Sequence, residues 1–485
     1  MSTATVGISG FAVYLPPYRV DLRQWCGWTG TPWDKIGSVV GTGFRMPGPD
    51  QSIYTMAATA VLRLIRQYDV DPARVRFLGL GTESSKDNSA GAVIVRGMLD
   101  EALSGQGMAP LSRHCEVPEF KHACLGGMYA VKNALRFLAT EPGDPLAIVV
   151  SADIAKYALG SSGEPTQGAG AVAMLLEKRP ALLEVDLAAC GSASAYRAID
   201  FRKPMVHVPG SGVCLRETPV FNGKYSTICY LDQALHAMRS MFQRLGRSSR
   251  DYLRGVKAVF MHRPYERMPL NALGFSYLAG LAVEAGAGQA EFVAYCAAAG
   301  LDPGQVLAEM QAEPGMLALV HKGMPGQEPW PLGMRLLREF RKQAAYQELV
   351  AAKLRLGAGR MRELGNLYSA SLPAWMAAGL EEALAEGSEL AGCDVLALGY
   401  GSGDAAEAMP MRIVPGWDAA AERIRFAAAL APVRDLGRED YTALHMRSGG
   451  PRSPGLRGEF VIDRVGSSST AELADEGVEY YRYIH

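Results

Sequence analysis

Short apolar runs that end in glycine or other small residues alternate along this chain with longer stretches whose apolar positions recur at helical spacing. The runs "VRFLGLGTES" (75–84), "LAIVVSADIA" (146–155) and "GAVAMLLE" (170–177) read as buried strands. Between them, 51–68 and 124–139 repeat apolar residues every three or four positions, which predicts helices. The layout then recurs: "KAVFMHRP" (257–264) and "VLALGYGSG" (395–403) predict strands, and "GNLYSASLPAWMAAGLEEAL" (365–384) predicts a helix between them. The opening "MSTATVGISGFAVYLPPYRV" predicts a first strand containing Gly7 and Gly10, closed by a turn at Pro16 and Pro17. Buried strands with helices on both faces imply a layered α/β architecture of two similar halves. In such folds, sites form at strand ends and helix N-termini.

The same pattern divides the chain. Residues 1–180 form the first half, 181–279 link to and begin the second, and 361–445 complete it. Residues 280–360 are rich in Ala, Glu, Lys and Arg and predict an inserted helical lobe, broken at "KGMPGQEPWPLG" (322–333). Residues 446–485 are a C-terminal extension that opens with the Gly/Pro/Arg linker "MRSGGPRSPGLRGEF". It closes with "EYYRYIH", whose three tyrosines predict packing back onto the body.

Composition narrows the function. The 485 residues are 48% hydrophobic and 20% charged, enough for a large core, and the formal net charge is -1. Nucleic acid or an anionic membrane as main partner calls for a strong basic excess, so any anionic substrate must meet a local Lys/Arg cluster. No apolar run reaches the ~18–20 residues of a membrane helix. The first residues lack a charged segment followed by an apolar one, so no signal peptide is expected. The eight cysteines (26, 115, 124, 190, 214, 229, 296 and 393) are scattered without a CxxC pair. They predict neither a disulfide scaffold nor a metal centre, but reduced thiols in a cytoplasmic protein.

Among polar residues, Cys124 comes first. It sits at the mouth of a predicted helix, followed by Leu125, Gly126 and Gly127. The helix dipole there favours thiolate, and free backbone N–H groups offer an oxyanion site. A small buried hydrophobe is the plainer alternative. Glu83 ends an apolar strand, where a carboxylate can serve as acid or base or cap the next helix. His262 follows another strand and is suited to proton transfer or to a hydrogen bond in the core. Asn366 and Ser402 could donate to a carbonyl or be ordinary turn residues. Together these supply a thiol, a carboxylate and an imidazole at element ends, the parts needed for acyl transfer with proton abstraction from carbon.

The stretches "GTES" (81–84), "ACLGG" (123–127), "SADIAKYALGSSGEPTQGAGAVAM" (151–174), "IDFRKP" (199–204), "MHRPYERM" (261–268), "GNLYSASL" (365–372) and "GYGSG" (399–403) stand in an order and spacing that resembles the hydroxymethylglutaryl-CoA synthase family of the thiolase superfamily. The resemblance covers about residues 5–415 and implies a five-layered αβαβα thiolase-like fold of two halves, in a homodimer. It implies that Cys124 takes an acetyl group from acetyl-CoA, Glu83 removes a methyl proton, and His262 polarises the ketone of acetoacetyl-CoA. It also places Asp153, Tyr157, Thr166, Asp200, Phe201, Asn366 and Ser402 around the substrates. CoA thioesters are then substrates, with no further cofactor. Two positions depart from the family: Leu125 beside the cysteine, and Arg267 where a lysine contacts CoA, keeping the charge as a rigid fork. Two other readings share the sequence features. One is a relative that installs β-branches on β-ketoacyl chains bound to an acyl carrier protein; the other is a non-catalytic scaffold of the same fold.

Overall fold

The computed structural model describes residues 5–485 except 88, 204, 209–211, 216, 221, 452–456 and 471, with 205–208 and 212–215 described by backbone alone. The first half contains β1 (Val6–Tyr14), α1 (Ile53–Gln67), β2 (Val75–Gly81), α2 (Gly91–Gly105), β3 (Glu119–Phe120), α3 (Gly126–Thr140), β4 (Leu146–Ala155) and β5 (Gly168–Lys178). Strands β3, β2 and β4 pair in parallel, and β5 and β1 continue the sheet antiparallel. The second half uses β6 (Leu183–Val185), β7 (Gly191–Ser194), α4 (Gly223–Leu245), β8 (Ala258–Met261), α5 (Arg267–Val283), α6 (Ser371–Ala385), β9 (Asp394–Gly401) and β10 (Ala405–Ile413). There β8 and β9 are parallel and β10 antiparallel, repeating the first half's pattern. Strand β6 pairs with both β1 and β10, so the two sheets are continuous.

Packing stacks these elements in five layers. Helices α1 and α2 cover the outer face of the first sheet, with α1 against β1, β4 and β5. Helices α3 and α6 form the middle layer: α3 lies on β2 and β4, and α6 lies on β8 and β9 while also touching β1 and β5. Helix α4 packs on β7 and β10, and α5 packs on α4, closing the far side. The sequence explains which helix goes where. Helix α6 is Ala-, Leu- and Gly-rich and buried almost all round, as a helix between two sheets must be. Helix α1 is held at its start by a Ser52–Thr55 capping box and buries twelve of its fifteen residues.

Two glycines set the position of the site. A Cβ on Gly81 would lie 2.4 Å from Cα of Gly127, so the end of β2 meets the start of α3 backbone to backbone. The ends of the two halves are also tied by charge: Lys132 on α3 reaches Glu407 on β10 at 2.5 Å, and Glu407 accepts from Ser192 of β7 at 2.6 Å.

The helix expected over 365–384 begins only at Ser371. Gly365 has φ +71, and Asn366 Oδ1 accepts from Tyr368 N at 2.9 Å and from Ser371 Oγ at 3.0 Å. The segment before α6 is therefore a fixed turn. Helices Ala287–Ala298, Pro303–Gln311 and Pro331–Phe340 pack over α5. At the C-terminal end, α7 (Arg438–Met446) precedes a hairpin of β11 (Glu459–Val465) and β12 (Glu479–Ile484). The hairpin lies on α1: Thr59 Oγ1 accepts from Phe460 N at 3.1 Å, and Arg66 donates to the Tyr483 hydroxyl at 2.9 Å. Among the described residues no helix is long and apolar enough to cross a membrane.

Candidate functional site

Strand β2 runs out at Gly81 and the chain turns through Thr82, Glu83 and Ser84 onto Asp153 of β4. Asp153 Oδ1 accepts from Glu83 N (2.8 Å), Ser84 N (2.8 Å), Ser84 Oγ (2.6 Å) and Thr82 Oγ1 (3.0 Å). Its Oδ2 accepts from the backbone and hydroxyl of Ser369, which stands just before α6. Six donors around one buried carboxylate lock the Glu83 turn to both halves of the molecule.

Cys124 stands two residues before α3, in a turn where Ala123 takes the left-handed conformation at φ 42. Its Sγ donates to Glu83 Oε2 at 3.5 Å. The other carboxylate oxygen, Oε1, forms an ion pair with Lys203 Nζ at 3.0 Å. Burial pushes the Glu83 carboxyl up, and the Lys203 ammonium opposes that push. The helix-dipole expectation for Cys124 is overturned. Burial, then the Glu83 carboxylate, push its thiol well above the usual range, so the resting sulfur is a neutral S–H. Desolvation beside an anion outweighs a dipole that acts mainly within the helix's first turn.

An aromatic wall completes this end. Cys124, Ala155, Tyr157 and Tyr368 form one buried cluster with Phe201 packed on it. The Phe201 ring meets Tyr368 at 5.7 Å and Tyr157 at 6.2 Å, edge to face. Thr166 donates to Gly163 O at 2.7 Å, lies in hydrogen-bond contact with the Tyr157 hydroxyl, whose pKa burial raises, and accepts Asn366 N on its carbonyl at 2.9 Å. Thr166 and Asn366 are thereby joined.

His262 follows β8 directly. Its N–H donates to Leu398 O and its carbonyl accepts from Tyr230 OH, each at 2.8 Å. The ring stacks on Tyr400 at 6.3 Å between centroids. Burial alone pushes it down to about 3, so the imidazole is neutral. Its Nδ1 is buried without a hydrogen-bond partner among the described residues. The Tyr400 hydroxyl lies within hydrogen-bond distance of Asp200 Oδ2 at 2.9 Å and of Asp404 Oδ1 at 3.1 Å, with Ser402 beside it. Burial and Asp200 push Asp404 well up, so this pair of acids holds a proton. The chain Tyr400–Asp200 leads to Phe201, which connects the histidine end to the cysteine end.

Glu83, Cys124, Asp153, Tyr157 and Phe201 are therefore brought together, with Thr166 and Asn366 joined behind them and His262, Asp200 and Ser402 gathered on Tyr400. Arg267 stands apart. It is exposed at the start of α5, where its charge acts on Tyr265 and Tyr346. A cavity of about 590 Å³ opens over Glu83 and Lys203. Lys86, Lys121, Lys156 and Arg447 line it together with Glu217, which pairs with Lys86, Lys156 and Arg447, so the basic groups an anionic substrate would meet are partly neutralised.

Sequence reasoning passed over Lys203, Tyr368 and Ser369. Lys203 lies two residues after Phe201, a spacing that puts both side chains on one face of an extended segment.

The family model described as hydroxymethylglutaryl-coenzyme A synthase N terminal matches residues 2–180. The hydroxymethylglutaryl-CoA synthase of Enterococcus faecalis is 31% identical over 270 residues, 56% of this chain and 63% of that protein. The synthase of Haloferax volcanii is 25% identical over 413 residues, 82% of this chain and 81% of that protein. The match thus spans under two thirds of the first relative's length. The solved structure of MvaS in complex with 3-hydroxy-3-methylglutaryl coenzyme A superposes with a TM-score of 0.77 at 26% identity, over 99% of this chain and 100% of that one. A synthase of the curacin biosynthetic pathway, solved in complex with holo donor-ACP, shares the fold at a TM-score of 0.69 and 18% identity, over 99% and 100% of the two chains.

Proposed function

We propose that this chain is a member of the hydroxymethylglutaryl-CoA synthase family and condenses acetyl-CoA with acetoacetyl-CoA to give 3-hydroxy-3-methylglutaryl-CoA and free CoA. The observation that carries this reading is the contact between the Cys124 thiol and the Glu83 carboxylate. Glu83 takes the thiol proton as sulfur attacks the acetyl carbonyl, and that proton leaves with the CoA thiolate. In the acetyl-enzyme, Glu83 is freed to remove a methyl proton, which the thioester makes acidic and the desolvated pocket favours. The carbanion attacks the acetoacetyl ketone, whose carbonyl the neutral His262 ring polarises. The new alkoxide is protonated through that ring with the proton Glu83 took from the methyl group, which returns Glu83 to its starting state. Water then releases the product from sulfur.

Asp153 orients the base, while Tyr157, Thr166, Asp200, Phe201, Asn366 and Ser402 shape the acyl pocket. Arg267 is assigned to the outer part of the CoA. In this reading CoA thioesters are the substrates and no separate cofactor or metal takes part. The enzyme is an acyltransferase, works in the cytoplasm as a homodimer, and supplies the mevalonate route.

The test is to incubate the protein with acetyl-CoA and then acetoacetyl-CoA, following free CoA and intact mass. One acetyl group gained, absent in Cys124→Ala and converted to product by the second substrate, is the expected result. Acetylation without turnover would move the acceptor to an acyl carrier protein. No acetylation by any acyl donor would overturn the reading and leave a scaffold.

A further inference from the structure

Glu83 is faced by ionisable groups from several segments. Cys124 comes from the turn before α3, Asp153 from β4, Tyr157 from just beyond β4, and Tyr368 from the turn before α6; Lys203 comes from the segment after Asp200. The thiol and the two phenols are neutral when buried here, and Asp153 accepts from six donors. Lys203 supplies the positive charge. Its ammonium is also seated on two ring faces, 4.9 Å from the centre of Tyr368 and 5.7 Å from that of Phe201. Its side chain keeps 19% of its surface exposed, toward the cavity. It occupies Oε1 of Glu83 and leaves Oε2 to Cys124.

We propose that Lys203 is a positioning residue for the base, its ammonium holding Glu83 ionised and aiming the free oxygen at Cys124. The inference rests on Glu83 being the base of the reaction above. A buried carboxyl beside another acid would otherwise hold its proton at neutral pH and could accept none from the thiol. With the counter-cation on one oxygen, the other stays basic and directed. After acyl transfer the same arrangement leaves Oε2 facing the acetyl methyl group. The aromatic pair is part of the device, because it fixes a flexible four-carbon side chain in one place.

The test uses the full chain with Lys203→Met, Lys203→Gln and Lys203→Arg. Two quantities are followed against pH. The first is the protonated-acid C=O band of Glu83 in the infrared, isolated by subtracting the Glu83→Gln spectrum. The second is the rate of acetyl transfer from acetyl-CoA, read by intact mass. Removing the charge should raise the Glu83 midpoint by roughly 1–3 pH units, the range for losing an adjacent opposite charge. The rising limb of the transfer rate should move up in pH by the same amount, so that rate lost below the new midpoint recovers at high pH. Lys203→Arg should restore both.

A midpoint that stays in place in Lys203→Met and Lys203→Gln overturns the proposal, whatever happens to the rate. A loss by the same factor at every pH would then mark a structural role. Lys203→Gln, which keeps a polar group without charge, serves if Lys203→Met fails to fold. If even the unaltered protein takes no acetyl group, the proposed function fails while the infrared midpoint still decides the role of Lys203.

Discussion

The turns that lead into the two middle helices can be laid side by side. Ala123 and Tyr368, with φ of 42 and 47, each stand three residues before their helix, which begins at Gly126 in one half and Ser371 in the other. Each is followed by a small polar or thiol side chain, Cys124 in the first half and Ser369 in the second. Their employment differs. Cys124 faces Glu83 with its S–H, while Ser369 gives both its N–H and its hydroxyl to Asp153. The strand ends differ in the same sense. After β2 comes a carboxyl paired with a lysine, and after β8 comes an imidazole that burial keeps neutral. One repeated backbone thus serves two electrostatic purposes. The first half supplies charge and a nucleophile, and the second supplies anchoring and a neutral hydrogen-bonding ring.

The comparison can be broken most strongly at the thiol. Cys124→Ala should abolish acetyl transfer, by a factor of roughly 10⁴ or more, as loss of a nucleophile does. Serine at 369 should not substitute for it, because both its donors are engaged. Residual acetylation in the intact-mass assay would contradict this assignment.

Asp153→Ala removes one of the links between the halves, the one that holds the Glu83 turn. Six donors lose one buried charged acceptor, so global stability should fall by about 3–5 kcal/mol, read from urea unfolding. An unchanged midpoint would mean that the Glu83 turn is held by something else.

Gly81→Ala tests the backbone contact that brings β2 to α3. The new methyl group has to displace the backbone of Gly127, at a cost of roughly 1–3 kcal/mol. A neutral thermal-unfolding result would show that the two elements can separate freely.

The smallest effect is a null one. Because burial holds the His262 ring deprotonated down to about 3, its nitrogens should show no titration by ¹⁵N NMR between pH 5 and 8, where an ordinary histidine changes charge. The sign follows from the direction of the shift: a lowered value keeps the neutral form at every pH above it. A midpoint inside that window would place solvent or a negative charge against the ring.

Much of this architecture was legible in the pattern of apolar runs, because strands buried on both faces and helices packed on one side leave different periodicities. The ends of β2, β4, β8 and β9 fell where glycine and polar residues interrupt those runs. Charge at the site was not legible. Helix position suggested an activated thiolate, but the sulfur comes to rest against a carboxylate, a contact between residues 41 apart in sequence. Lys203 escaped notice for a related reason. Its partners come from three separated segments, and nothing local distinguishes an ammonium seated on two aromatic rings from a solvated one. Asp404 likewise reads as part of a glycine turn until the fold sets it beside Asp200.

The division of labour between the halves is tested most directly by His262→Ala, followed through both steps in one experiment. Acetyl transfer to Cys124 should proceed within about threefold of the unaltered rate, since His262 lies in the other half. Condensation with acetoacetyl-CoA should fall by roughly 10²–10⁴, the usual worth of a positioned proton-transfer group, so the acetyl-enzyme should accumulate. Equal slowing of both steps would contradict the account and make the histidine part of the first half's chemistry.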